Sequence, residues 1–192
     1  MTTEEIQLDR EDIILLLMEA NERILKKSTL NGITRLEKLI FLLDRETSFE
    51  GIARFFPFEP HNFGPFSKEV YEAVEFLEGC ELIDVRERTY TSPYTASDDD
   101  KLLSQISDEA GDAPATEKCF ALTANGQKVA RIMHDGLAGK RQADVDEVDG
   151  IIRKYGTRPL NHLIRYVYHQ YPAMTSKSIH PEAAKVNYGS DR

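Results

Sequence analysis

Leu82-Ile83-Asp84-Val85-Arg86-Glu87-Arg88-Thr89-Tyr90 and the later run Lys118-Cys119-Phe120-Ala121-Leu122-Thr123-Ala124-Asn125-Gly126 are the stretches that decide the fold. Leu82–Val85 reads as a strand that continues through the alternating residues Arg86 to Tyr90, and Lys118–Leu122 reads as a second, short strand. Thr123 stands where a helix N-cap belongs, and Val129, Ile132 and Met133 give the helix behind it an apolar side. Between the strands, residues 92–117 are rich in Ser, Asp, Ala and Pro and read as a loop, with Lys101–Ile106 as a candidate short helix. A hairpin loop of that length far exceeds the usual ~2–5 residues, which marks it as functional or mobile.

Upstream, three helices are expected. Asp9, with Asp12 three residues on, resembles a capping box, and Ile13, Ile14, Leu16, Leu17 and Ala20 carry the first helix to about Ile24. Asn31-Gly32 is a turn dipeptide. A second helix starts near Thr34, with Leu36, Leu39, Ile40 and Leu43 at helical spacing and Arg35, Lys38 and Arg45 off that stripe. Phe55, Phe56, Phe58, Phe63 and Phe66 surround Pro57 and Pro60, a loop expected to staple itself to the core. Gly64-Pro65 reads as the N-cap and first position of a third helix, with Ser67 in its first turn or itself the cap. Phe66, Val70, Val74 and Leu77 form its inner face, Gly79 its end, and Glu69, Glu72, Glu75 and Glu78 point outward. Helix, helix, helix, strand, loop, strand, helix is the order of a winged helix-turn-helix. The expected fold class is therefore mainly α with a small β-hairpin: a winged-helix domain over 9–136 with a long wing loop at 92–117, a C-terminal helical pair over 142–172, and a flexible tail over 173–192. The pair is Ala143–Tyr155 and Pro159–Tyr171, joined by Gly156-Thr157-Arg158.

Three runs resemble small prokaryotic winged-helix proteins of the YwgA-like kind and, more distantly, the SocA-like (Panacea) antitoxin domain. Gly32-Ile33-Thr34-Arg35-Leu36-Glu37-Lys38-Leu39-Ile40-Phe41 is similar to their LQKLIYF-type helix. Phe58-Glu59-Pro60-His61-Asn62-Phe63-Gly64-Pro65-Phe66-Ser67 resembles their loop with a Gly-Pro step entering a helix, and Cys119 to Gly126 resembles their wing exit. The resemblance spans about residues 10–135. It implies a winged-helix scaffold with no known catalytic site and, in the antitoxin branch, neutralisation of a partner protein. This chain departs from the antitoxin pattern at Phe66-Ser67, where an aliphatic residue is common, and in its long wing loop.

Charge then sorts the function classes. The 192 residues hold 24 basic and 33 acidic side chains, a formal net charge of -9. The segment from Glu69 to Lys118 has 14 acids and four bases, a balance of -10, while residues 151–192 carry +5. The excess acid thus lies on the third helix, the strand after it and the wing loop, the surfaces a winged helix offers to phosphate. A protein partner, a toxin or another basic protein, is the leading expectation, and the C-terminal +5 region is a candidate to fill that role within the chain or in a dimer mate. Candidate partner-binding residues are Phe63, Gly64, Pro65, Ser67, Lys68, Tyr71, Glu72 and Glu75. The Gly64–Ser67 turn is read mainly as a device that sets the loop-to-helix angle. The alternative is a DNA-binding transcriptional regulator, with a homodimer as its usual form, using Arg35, Lys38, Lys68, Tyr71, Arg86 and Arg88. There is no phosphate-binding glycine loop, no nucleophile elbow and no His-Glu-x-x-His. No enzyme activity, cofactor or metal is expected. Cys80 and Cys119 lie near one another in such a fold, which leaves a redox pair as an alternative, but buried reduced thiols are the default expectation. With no signal segment and no run long enough to cross a bilayer, a cytoplasmic protein without membrane contact is the expectation.

Overall fold

A computed structural model describes residues 8–49, 52–90 and 115–189. It is mainly helical with a small antiparallel sheet. In chain order the elements are α1 (Arg10–Leu25), β1 (Thr29–Asn31), α2 (Ile33–Glu46), α3 (Ile52–Phe55), β2 (Glu59–His61), β3 (Gly64–Phe66), α4 (Lys68–Gly79), β4 (Ile83–Tyr90), β5 (Ala115–Leu122), α5 (Ala124–Lys140), α6 (Gln142–Tyr155), α7 (Leu160–Gln170) and α8 (Pro181–Gly189), with a 3-10 turn at Pro172–Thr175. One sheet has the order β1-β5-β4, and β2 and β3 form a separate hairpin.

α1 starts where its sequence places it, and the backbone N–H of Asp9 donates to Asp12 Oδ2 at 2.9 Å. β1 was not foreseen. It occupies the Thr29–Asn31 stretch and pairs with the strand at Ala115–Leu122, Thr29 opposite Ala121 and Asn31 opposite Cys119. β4 and β5 run in register from Ile83 opposite Leu122 to Tyr90 opposite Ala115. The second strand therefore begins three residues before the expected Lys118, because Ala115, Thr116 and Glu117 have partners on β4. The expected short helix at 101–106 lies outside the described residues.

α2 differs from its one-face expectation. Every residue from Leu36 to Leu43 is buried, Glu37 and Lys38 included. The helix runs through the middle of the molecule, with other elements packed on all sides of this segment. The Gly64-Pro65 step also differs. Gly64–Phe66 is a strand, Ser67 is the N-cap, and α4 begins at Lys68. A Pro with fixed φ and no N–H suits an extended edge as well as a first helical turn, and pairing of Pro65 with Pro60 settles the matter.

The C-terminal helices join the same core as α1 and α2. At one junction Arg23 donates to Asp149 at 2.6 Å and to Glu19 at 2.9 Å. At another the Glu46 carboxylate accepts from Tyr155 at 2.5 Å, Tyr166 at 2.6 Å and Lys154 at 2.8 Å. The C-terminal bases Arg153, Lys154, Arg165 and Lys185 are thus paired with Asp149, Glu46 and Glu182. Within the chain these four bases therefore do not pair with α4, the role that the +5 charge suggested.

Order continues beyond Pro172, into the expected tail. Ser178 Oγ donates to the Asn62 carbonyl at 2.9 Å and lies 2.5 Å from the Tyr168 hydroxyl. The backbone N–H of Ile179 donates to the same carbonyl at 3.1 Å. His180, only 6% exposed, accepts at Nδ1 from the backbone N–H of Glu182 in the first turn of α8, at 3.2 Å. Its ring stands edge-on to Tyr168. Burial pushes the His180 pKa down, Glu182 opposes that, and Arg165 and Lys185 reinforce it. Below the ordinary histidine value of about 6.5 the unfolded chain then binds more protons at this site than the folded one, so stability falls with falling pH until the folded form titrates too. Replacing His180 by Gln is expected to flatten the decline in urea midpoint between pH 7 and 5. An unchanged slope would assign that decline to other groups.

Candidate partner-binding face

The β2–β3 hairpin and the outer side of α4 form one surface, built from beneath by α2 and α7. Gly64 has φ of +90°, a left-handed conformation that a side chain disfavours. A Cβ there would lie 2.7 Å from the Tyr168 ring and 3.7 Å from Lys38 Cε. The Lys38 side chain, 1% exposed, crosses under this point, and its ammonium donates to the Pro65 carbonyl at 2.8 Å. Glu37 stands 3.8 Å from that ammonium and accepts weakly from the Ser67 backbone N–H at 3.4 Å. Burial pushes the Glu37 carboxyl up to about 7 and the Lys38 ammonium down to about 8, and each partner's charge partly offsets the other's shift. The Ile33–Glu46 helix and the Gly64-Pro65 loop, two separate runs in the sequence, meet in this lock.

The lock removes several sequence candidates from the surface. Gly64, Pro65 and Ser67 are buried. They frame the hairpin and the start of α4, and Ser67 Oγ is engaged with Glu69 at 2.6 Å. Lys38 cannot reach a phosphate from inside the core, which corrects its place among the DNA candidates. Arg35 is half-buried, and its Nη1 donates to the Arg158 carbonyl at 2.6 Å. It lines an open cleft of about 540 Å³ with Lys27, Asn31 and Glu117.

Above the lock, His61, Phe66 and Tyr71 form a row of rings with centroids 4.7 and 5.6 Å apart. Tyr71 is 37% exposed; burial and the nearby Glu37 charge push its phenol well above the usual range. Phe63 is half-buried at the hairpin turn. Along α4, Lys68, Glu72, Glu75 and Glu78 are exposed, and Glu72 is held by Arg10 at 2.9 Å and Lys68 at 3.5 Å. Phe76 is 57% exposed and was missed in the sequence. It stands three residues after the buried Ala73, a spacing that looks internal, and only the direction of the packed face reveals that it is not. Arg86 and Arg88 are exposed on β4, with Arg86 2.9 Å from Asp84.

Cys80 and Cys119 are free thiols, Cys80 exposed and Cys119 half-buried, so neither is the fully buried thiol expected. Among the described residues no helix is long and apolar enough to cross a membrane. The chain matches no protein-family model, and no curated protein matches it in sequence.

Proposed function

We propose that this chain is a non-enzymatic winged-helix regulatory or adaptor module that acts by binding another protein through α4 and the adjoining hairpin. The element order and the sheet order β1-β5-β4 support the winged-helix reading, since the strand between the first two helices pairs with the second wing strand. α4 then occupies the recognition-helix position. The observation that carries the functional reading is the outer side of that helix, where Glu72, Glu75, Glu78, Tyr71 and Phe76 stand with Lys68 as the one base. Carboxylates there oppose phosphate, while Tyr71 on one flank of the exposed side and Phe76 on the other are aromatic rings of the kind that anchor protein interfaces. The partner would present basic groups around an apolar recess, as a toxin neutralised by an antitoxin-like or phage- and defence-associated factor would.

The test places a photo-crosslinking residue at position 76 and, as a control, at the exposed position 150 on α6. A discrete protein adduct in cells at 76 and none at 150 is expected. The DNA-regulator reading retains Arg86 and Arg88 on the exposed face of a wing strand. Sequence-selective gel shifts on sheared genomic DNA at about 0.15 M salt, where nonspecific binding is weak, would overturn the protein-only reading in its favour.

A further inference from the structure

The outer side of α5 has a pattern that complements itself. The helix buries Gly126, Ala130 and Leu137. On the opposite side Lys128, Ile132, Asp135 and Gly139 follow one another at i, i+4, i+7 and i+11, a single line on a helix, and all four are exposed. Ile132 is 72% exposed, with the partly exposed Val129 one turn before it. No heavy atom lies within 4 Å of a Cβ placed at Gly136 or Gly139, so a second helix has room to approach closely.

We infer that this strip is an interface between two copies of the chain, with α5 packed antiparallel to its mate about a two-fold axis near Ile132. In such a pairing, residues whose numbers sum to about 264 face each other. Ile132 meets the mate's Ile132, and Lys128 meets the mate's Asp135 on both sides of that centre. The ion pair thus forms twice and brackets the apolar contact, as an isologous interface requires. Asp135 accepts one contact from His134 Nδ1 at 3.0 Å and has a second carboxylate oxygen for the ammonium. Charge complementarity selects the occupant: the line carries one base, Lys128, and one acid, Asp135, on either side of Ile132, an arrangement that a second copy turned through the two-fold matches pair for pair, with the exposed Arg131 on the flank of the line. A contact centred on one 17-residue helix is small, so the dimer is weak and forms in the micromolar range or above.

Sedimentation velocity of the full chain across roughly 1–200 μM, a span that brackets such an affinity, tests this. The wild type is expected to shift from monomer to dimer. Lys128→Asp and Asp135→Lys each place like charges opposite one another twice and are expected to hold the chain monomeric, as is Ile132→Ser. The double swap Lys128→Asp/Asp135→Lys is expected to restore the dimer. All three positions are exposed, and circular dichroism verifies that each variant folds. A wild type that stays monomeric at the highest concentration, a dimer indifferent to these substitutions, or a double swap that fails to restore it would overturn the inference.

Discussion

Lys38→Met is expected to destabilise the folded chain by about 3–5 kcal/mol, the range for removing one member of a buried ion pair. Methionine keeps most of the side-chain stem, so the cavity contribution is small. What is lost is the donor to the Pro65 carbonyl at 2.8 Å and the positive charge beside Glu37. The carbonyl is left buried without that bond, and the carboxylate must protonate or remain uncompensated. Glu37→Gln/Lys38→Met together remove both charges, and replacing a buried pair with neutral groups is often close to neutral. The double variant is therefore expected to recover to within about 2 kcal/mol of the wild type, the remainder reflecting the unsatisfied Pro65 carbonyl. Urea midpoints at constant slope decide the matter. A single variant that loses under 1 kcal/mol, or a double variant no better than the single, would show that the pair is not what holds the hairpin.

The same pair has a pH signature opposite to that of surface ion pairs. With Glu37 raised to about 7, the folded chain holds a proton that the unfolded chain releases above about 4.5, so stability falls as pH rises through that window. With Lys38 lowered to about 8, the unfolded chain holds a proton that the folded one lacks up to about 10.5, so stability recovers as pH rises above 8. The pair is least favourable between these two windows, and the double variant should lack that dip. A carboxylate and an ammonium held in water by exposed partners would give a broad maximum there instead.

Lys38 also shows what the sequence could and could not disclose. The apolar stripe of α2 is plain in Leu36, Leu39, Ile40 and Leu43, and the stripes of α1, α6 and α7 are equally plain. A lysine next to that stripe reads as solvent-facing, because nothing local announces that a loop 27 residues on will cover it. β1 and the β2–β3 hairpin were hidden for a related reason. Three residues are too few to show a period, and Thr29–Asn31 becomes a strand only by pairing with Ala121–Cys119, about 90 residues away. α8 was hidden because its order rests on His180, Ser178 and Asn62, polar groups in a segment whose composition suggests a tail. In the site, the acids and Tyr71 were legible from helical spacing. Phe76 was not, since its exposure depends on where α1 and β4 lie against α4.

Gly126→Ala is expected to be among the most damaging single substitutions in the chain, at or beyond the roughly 3 kcal/mol upper end of ordinary overpacking. Thr123 caps α5, its Oγ1 accepting from the Gly126 backbone N–H at 3.0 Å. The same hydroxyl donates to the Glu81 carbonyl at 2.7 Å, and the Thr123 backbone N–H donates to the Leu82 carbonyl at 3.0 Å. These bonds draw the first turn of the helix down onto the α4–β4 corner, where Glu81 has the left-handed φ of 56°. A Cβ at position 126 would stand 1.9 Å from the Leu82 oxygen and 2.9 Å from its carbon. Those are backbone atoms fixed by neighbouring bonds, so the helix start must lift and the Thr123 contacts must lengthen. Thermal unfolding should separate this position clearly from Gly150, an exposed glycine inside α6 with no heavy atom within 4 Å of a Cβ. There the same change is expected to stabilise by about 0.4–1 kcal/mol, through helix propensity and a less flexible unfolded chain. Equal melting temperatures for the two variants would mean that the Thr-x-x-Gly step is not the hinge that seats α5 against the β4–β5 sheet.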